Sequence, residues 1–349
     1  MVIENRATWP VIFRLLGTEG ATLDGQLAPG QLASLNVTGR VEVAFRSAGK
    51  VQRYRLDPNR AYVFVPGGAA ATRAVALRTV PLLPDPAGGH ADLGVDPIAD
   101  GRPLGPLPPR EVTVKLLVDD DEPAVRRLWE PRLRRRLAEA SAIFKRYCNV
   151  TFKVTQIDTW DSDDRQHDFP KSLAEFEREV DPGQTMLAIG FTSQYRVPRG
   201  RTHLGGTRGP LHPWILIREW SQHVTPAERL ELLVHELGHY LGAAHSDERF
   251  SVMRPKMTGS RANDRRFQIR FDALNTLAMC MMAGQLPHNR PQSGRERRIE
   301  RDVAANLRSI YATLAKKMPD DPAARDLLSL LSRPNPPAAE AGPETDRRQ

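Results

Sequence analysis

Cysteine is scarce. The 349-residue chain has two, Cys148 and Cys280, which allow one disulfide at most and exclude both a disulfide-stapled scaffold and a structural zinc site closed by cysteines. Each falls on a predicted helix, so two buried free thiols are the simpler reading. No apolar run reaches spanning length, which excludes a transmembrane helix. Met1-Val2-Ile3-Glu4 lacks the basic start and apolar core of a signal peptide. There is no internal repeat. The net charge of +8 comes mainly from arginine, and runs such as Arg132 to Arg136 lie opposite a core stripe and read as a solvated helix face. No nucleic-acid module is recognisable, so nucleic acid is not an expected partner.

What is present is concentrated in residues 234 to 255, VHELGHYLGAAHSDERFSVMRP. His235, Glu236, His239, Gly242 and His245 follow the order H-E-x-x-H-x-x-G-x-x-H, with Met253 eight residues further on. With nine His in 349 residues, a chance H-E-x-x-H is expected at roughly one in a hundred. Adding Gly242 and His245 lowers this to about a few in a hundred thousand, and coincidence is set aside.

Thr225-Pro226-Ala227-Glu228 carries an N-cap threonine, a proline at the first helical position and a glutamate at N3, which fix a helix start. Leu230, Leu233, Val234, Leu237 and Leu241 then form one stripe, with His235 and His239 near the opposite side. Four residues advance about 6 Å and slightly more than one turn, so the two imidazoles project together. Gly242 accepts the left-handed exit that can return His245 as a third nitrogen. Three imidazoles with an open fourth position describe catalytic rather than structural zinc. Glu236 stands where a carboxylate can take the proton of a zinc-bound water.

The motif and the turn Ser251-Val252-Met253-Arg254-Pro255 resemble the metzincin zinc peptidases, whose signature includes a later Met-turn. Ser246 and Pro255 look most like the matrixin branch, and Pro255 stands where other branches carry a tyrosine, so no tyrosine ligand is expected. The resemblance implies one catalytic Zn2+ held by His235, His239 and His245, Glu236 as general base, Met253 beneath the ligands, and a protein or peptide substrate. It further implies that His203-Leu204-Gly205-Gly206-Thr207 leads an edge strand on which Leu204, Gly205 and Gly206 receive substrate; a plain glycine turn is the alternative. Export is the family habit, so a secreted enzyme is expected. No cysteine precedes the motif domain, which excludes a thiol-on-zinc latency device. The structural zinc and calcium pattern of animal matrixins is missing from Met186 to Trp220. Asp158, Asp161, Asp163, Asp164 and Asp168 leave Ca2+ as an open alternative without EF-hand spacing. A fold kept only for peptide or surface capture is the alternative function.

The expected fold class is α+β. Residues 110–284 form a metzincin-like domain with a mixed twisted sheet, an active-site helix and a C-terminal helix. Strands are read at Glu111 to Val118, Thr151 to Ile157, Met186 to Phe191 and Trp214 to Arg218, and helices at Pro131 to Cys148 and Asp272 to Gly284. Residues 254 to 268, with Arg261, Arg265 and Arg266, are expected to wall the substrate pocket with a polar rim. Residues 1–67 read as a small all-β sandwich-like module, with Val41, Val43 and Phe45 alternating before an Ala48-Gly49 turn. Residues 68–109 are dense in Pro and Gly and read as a linker, so a chain starting near Gly105 is expected to fold alone. Residues 285–332 read as a helical extension, with a stripe of Val303, Leu307, Ile310, Tyr311 and Leu314 and a short helix opened by Asp321-Pro322. Residues 333–349 read as a disordered tail.

Overall fold

A computed structural model describes residues 1–17, 22–37, 39–68, 73–84, 107–166, 168–193, 204–218, 224–255, 269–286 and 299–332. The N-terminal strands are β1 (Val2–Asn5), β2 (Val11–Leu16), β3 (Thr22–Leu27), β4 (Leu32–Ser34), β5 (Val41–Ser47), β6 (Lys50–Leu56), β7 (Ala61–Pro66) and β8 (Val75–Thr79). They form two four-stranded sheets, ordered β4-β1-β7-β8 and β3-β2-β5-β6. The inward residues of the two sheets meet as a sandwich: Phe64 of one sheet lies 5.9 Å from Phe13 and 5.0 Å from Phe45 of the other, ring centre to ring centre. Ala48 and Gly49 take positive φ (48° and 80°), the geometry a tight hairpin between β5 and β6 requires.

Strand β8 lies inside the interval read from sequence as linker, and pairs antiparallel with β7. The Pro/Gly density hid it because five residues of strand give little alternation against that background. Residues 85–106 of that interval lie outside the described residues.

The following elements are β9 (Arg110–Asp119), α1 (Arg126–Cys148), β10 (Val150–Trp160), α2 (Phe169–Glu179), β11 (Leu187–Thr192), β12 (Gly205–Gly206), β13 (Trp214–Arg218), α3 (Pro226–Tyr240), α4 (Ala273–Gln285), α5 (Arg301–Lys317) and α6 (Ala323–Ser332). The molecule is of mixed α+β class. A five-stranded sheet, ordered β10-β9-β11-β13-β12, is parallel except for the antiparallel edge β12. Both faces are covered, and β11 is accordingly buried at every position. Val112, Val114, Leu116 and Val118 of β9 face the core shared with α1, α3 and α4, whereas Leu117 packs with Phe169, Leu173 and Phe176 of α2.

Helix α1 starts five residues before the position read from sequence and carries Pro131 past its first turn, where the ring forgoes one i→i−4 hydrogen bond that the packing of α1 on the core offsets. Arg136, read as part of a solvated face, is buried with its guanidinium 5.9 Å from the ring centre of Phe191. Cys148 and Cys280 are free thiols, the first buried and the second half-buried. No helix among the described residues is long and apolar enough to cross a membrane.

Candidate metal centre

Helix α3 begins on the expected cap. Thr225 N–H donates to Glu228 Oε2 (2.8 Å) and Glu228 N–H to Thr225 Oγ1 (3.3 Å), an arrangement that contributes about 1 kcal/mol and sets where the histidines emerge. At the other end Gly242 has φ +84°, and a Cβ there would lie 2.6 Å from Met282 Cγ, so glycine is required both for the turn and for space. Ala244 N–H donates to Asn275 Oδ1 of α4 (2.8 Å), which holds the chain on its way to His245.

The three histidines converge. One nitrogen from each of His235, His239 and His245 lies within 4.8 Å of the others, a cluster able to hold a metal ion. Nδ1 of His235 sits 2.9 Å from the Val252 carbonyl oxygen, and Nδ1 of His239 sits 2.8 Å from that of Ala243. A carbonyl only accepts, so each Nδ1 carries the proton and each Nε2 presents a lone pair. These two Nε2 atoms face each other at 3.1 Å. Two acceptors at that distance repel unless a cation lies between them, and tetrahedral zinc ligands stand about 3.3 Å apart. The donor set therefore fits zinc. Burial, then the neighbouring His245, pushes the His235 imidazolium down to about 4; burial, then His235 and His245, lowers that of His239 well below the usual range. Imidazoles held neutral are the form that binds metal.

Glu236 is buried, and its Oε2 has no hydrogen-bond partner among the described residues. Burial raises its carboxyl to about 8; a cation held by the imidazoles pulls the other way. Met253 is fully buried beneath α3, where a Cβ on Gly238 would lie 2.7 Å from its Sδ. Its carbonyl accepts from Ser246 N–H (2.8 Å), tying the methionine turn to the third histidine. Gly205 and Gly206 pair with Ile217 and Leu216 in β12, the last strand of this sheet among the described residues, and the Leu204 carbonyl accepts from Arg218 N–H (2.8 Å).

Residues 110–285, just over half of the chain, match Reprolysin_5, Metallo-peptidase family M12. The chain belongs to this family. It is a metzincin-type metallopeptidase whose three signature histidines converge as that motif requires. Among solved structures, archaemetzincin from Methanopyrus kandleri is 19% identical, with a TM-score of 0.37 over 50% of this chain and 96% of that one. A structure of a chaperone–substrate complex is 9% identical, with a TM-score of 0.39 over 83% of this chain and 59% of that one. A comparison with curated proteins finds no match.

Two groups at the metallopeptidase centre escaped sequence reading. Tyr311 Oη donates to the Gly242 carbonyl (2.7 Å), and both carboxylate oxygens of Asp321 lie within 3.0 Å of His245 Nδ1. Tyr311 was visible only as part of a helical stripe and Asp321 only as a helix opener. The acidic stretch adds no ligand cluster among the described residues. Asp168 caps α2 by accepting from Lys171 N–H (3.1 Å), and Asp163 accepts from Arg165 N–H (3.0 Å). Arg261, Arg265 and Arg266 of the expected pocket wall lie outside the described residues, as does His203.

Proposed function

We propose that the chain is a zinc-dependent endopeptidase in which His235, His239 and His245 hold the ion and Glu236 is the general base. The carrying observation is the pairing of converging lone-pair nitrogens with a buried, unpartnered Glu236 Oε2 beside them. Zinc in that place supplies Lewis acidity, which makes a bound water acidic near neutral pH and polarises the scissile carbonyl. Glu236 accepts the proton of the attacking water at its free oxygen and returns it to the leaving amine. The imidazoles need no proton exchange during the cycle, since their Nδ1–H groups are tied to acceptors. Pro255 stands where a tyrosine ligand would be, the matrixin-like form of the turn, and among the described residues the three nitrogens are the ligand set.

Substrate is placed along β12. Among the described residues no strand covers its outer edge, where an extended peptide can add as a further strand, and paired glycines let that backbone approach closely. Gly205 stands directly against Glu236, so a peptide paired there runs past the base.

Glu236→Ala tests the mechanism because it removes the proton acceptor and none of the ligands. Zinc content and thermal melting stay near wild type while turnover of a peptide library falls on the order of 10²- to 10⁴-fold. A folded, zinc-loaded variant that still turns over peptide at nearly the wild-type rate refutes the role of Glu236. Wild type that captures peptides without cutting them refutes the enzyme reading.

A further inference from the structure

We infer that Asp321 is the positioning carboxylate of the metal centre, so that the helical extension beyond the family-matched residues completes a site that those residues alone leave unfinished. This rests on the reading of His245 as a ligand. Residues 110–285 contain all three histidines, whereas Asp321 lies 76 residues beyond His245.

The three imidazoles are oriented differently. His235 and His239 each donate Nδ1–H to a backbone carbonyl within the motif region, Val252 and Ala243. His245 has no such local acceptor among its described contacts; its Nδ1 lies 3.0 Å and 2.9 Å from Oδ1 and Oδ2 of Asp321. A carboxylate only accepts, so it fixes the proton on Nδ1 and turns the Nε2 lone pair toward the other two imidazoles. Its negative charge also makes that nitrogen a stronger donor to a cation, which a neutral carbonyl does less well. His245 follows an irregular turn rather than sitting on α3, so it is the ligand with the most rotational freedom to lose.

Asp321 is itself held in place. The turn after α5 is closed by Asp321 N–H on the Met318 carbonyl (3.1 Å), and Asp321 Oδ1 accepts from Ala323 N–H (2.9 Å) at the start of α6. Helix α5 is fastened to the ligand loop by Tyr311 Oη on the Gly242 carbonyl (2.7 Å), whereas Lys317 and Asp247 (3.5 Å) form an exposed pair that contributes little. Asp321 is therefore presented to the ring by a braced segment.

The rival role is purely structural, the capping of α6. Zinc affinity by chelator competition and the visible absorption of the Co2+-substituted full chain separate the two. Asp321→Ala raises the zinc Kd by about 10- to 100-fold, and Asp321→Asn, which keeps an oxygen for Ala323 N–H but loses the charge, raises it by about tenfold, the lower end of that range. Both shift the Co2+ spectrum. Lys317→Ala, which removes only the exposed pair with Asp247, leaves Kd and spectrum unchanged. A folded Asp321→Ala with wild-type zinc affinity overturns the inference. Should that variant not fold, Asp321→Asn decides, and unchanged Kd and spectrum there overturn it equally. Wild type that takes up no zinc overturns the reading of the site and this role with it.

Discussion

A Cβ placed on Gly205 would stand 2.7 Å from Oε1 of Glu236 and 2.8 Å from its Cγ, so the edge strand and the buried carboxylate are packed against one another without room for a methyl group. Gly205→Ala must displace one of them. With Glu236 enclosed, its carboxylate swings off line or β12 moves outward. A misplacement on the order of 1 Å costs about 10²-fold in rate, and the ligand histidines are not involved. Peptide turnover falls by that order while zinc content and melting hold; wild-type turnover in a folded Gly205→Ala chain would show that the contact carries nothing.

Tyr311→Phe removes the hydroxyl that donates to the Gly242 carbonyl inside a closed part of the core. The carbonyl is left without that donor and glycine cannot re-orient cheaply, because its φ of +84° sets the exit of α3. The expected loss is about 1–2 kcal/mol of unfolding free energy, read from denaturant midpoints. Stability equal to wild type would mean that water replaces the hydroxyl at no cost.

The histidine cluster was legible in sequence because it is local: two histidines one turn apart, a glycine where the turn needs positive φ, and a threonine cap that fixes the phase. Asp321 and Tyr311 were not legible, because contacts 76 and 69 residues away leave no spacing to read and both residues also satisfy ordinary helix rules. Helix α2 was missed for another reason. Asp168-Phe169-Pro170 carries a cap and an early proline, but the aspartates before it have the composition of an acidic loop and mask the start of a helix. The edge position of Gly205 and Gly206 was what the family resemblance implied, whereas the closeness of Gly205 to Glu236 needed three dimensions.

Asp119 at the end of β9 is buried, accepts from Thr192 Oγ1 and from Ser162 Oγ (2.9 Å), and burial raises its carboxyl to about 6. A folded-state value above the unfolded one means that the group's contribution to stability is present below pH about 3.8 and is lost as pH rises through about 6. Asp119→Asn stays neutral throughout. The melting temperature of the variant minus that of wild type therefore grows from about pH 3.8 to about pH 6 and levels off above, the window that linkage assigns to this carboxyl. A difference that is flat or shrinks over that range contradicts the assignment.

The N-terminal sandwich bears on the centre more closely than the Pro/Gly stretch leads one to expect. Val2 of β1 and Ala61 of β7 are fully buried in the same apolar core as α1, α3 and α4, and Leu32 of β4 packs against it. Strands β1, β4 and β7 lie on α4, and β4 also on α1. Arg6 pairs with Glu248 (3.2 Å) on the loop between the third histidine and the methionine turn, an exposed contact that contributes little. The apolar contact matters more, since uncovering a buried side chain of Val or Leu size costs about 1.5–3 kcal/mol and several are uncovered at once. We therefore expect a chain starting near Gly105 to melt well below the full protein, to expose apolar surface that binds a hydrophobic dye, and to lose activity through unfolding rather than through lost zinc ligands. Differential scanning calorimetry of both chains with zinc present checks this. A truncated chain that melts within a few degrees of the full one and cleaves peptide normally would make the sandwich an independent module after all.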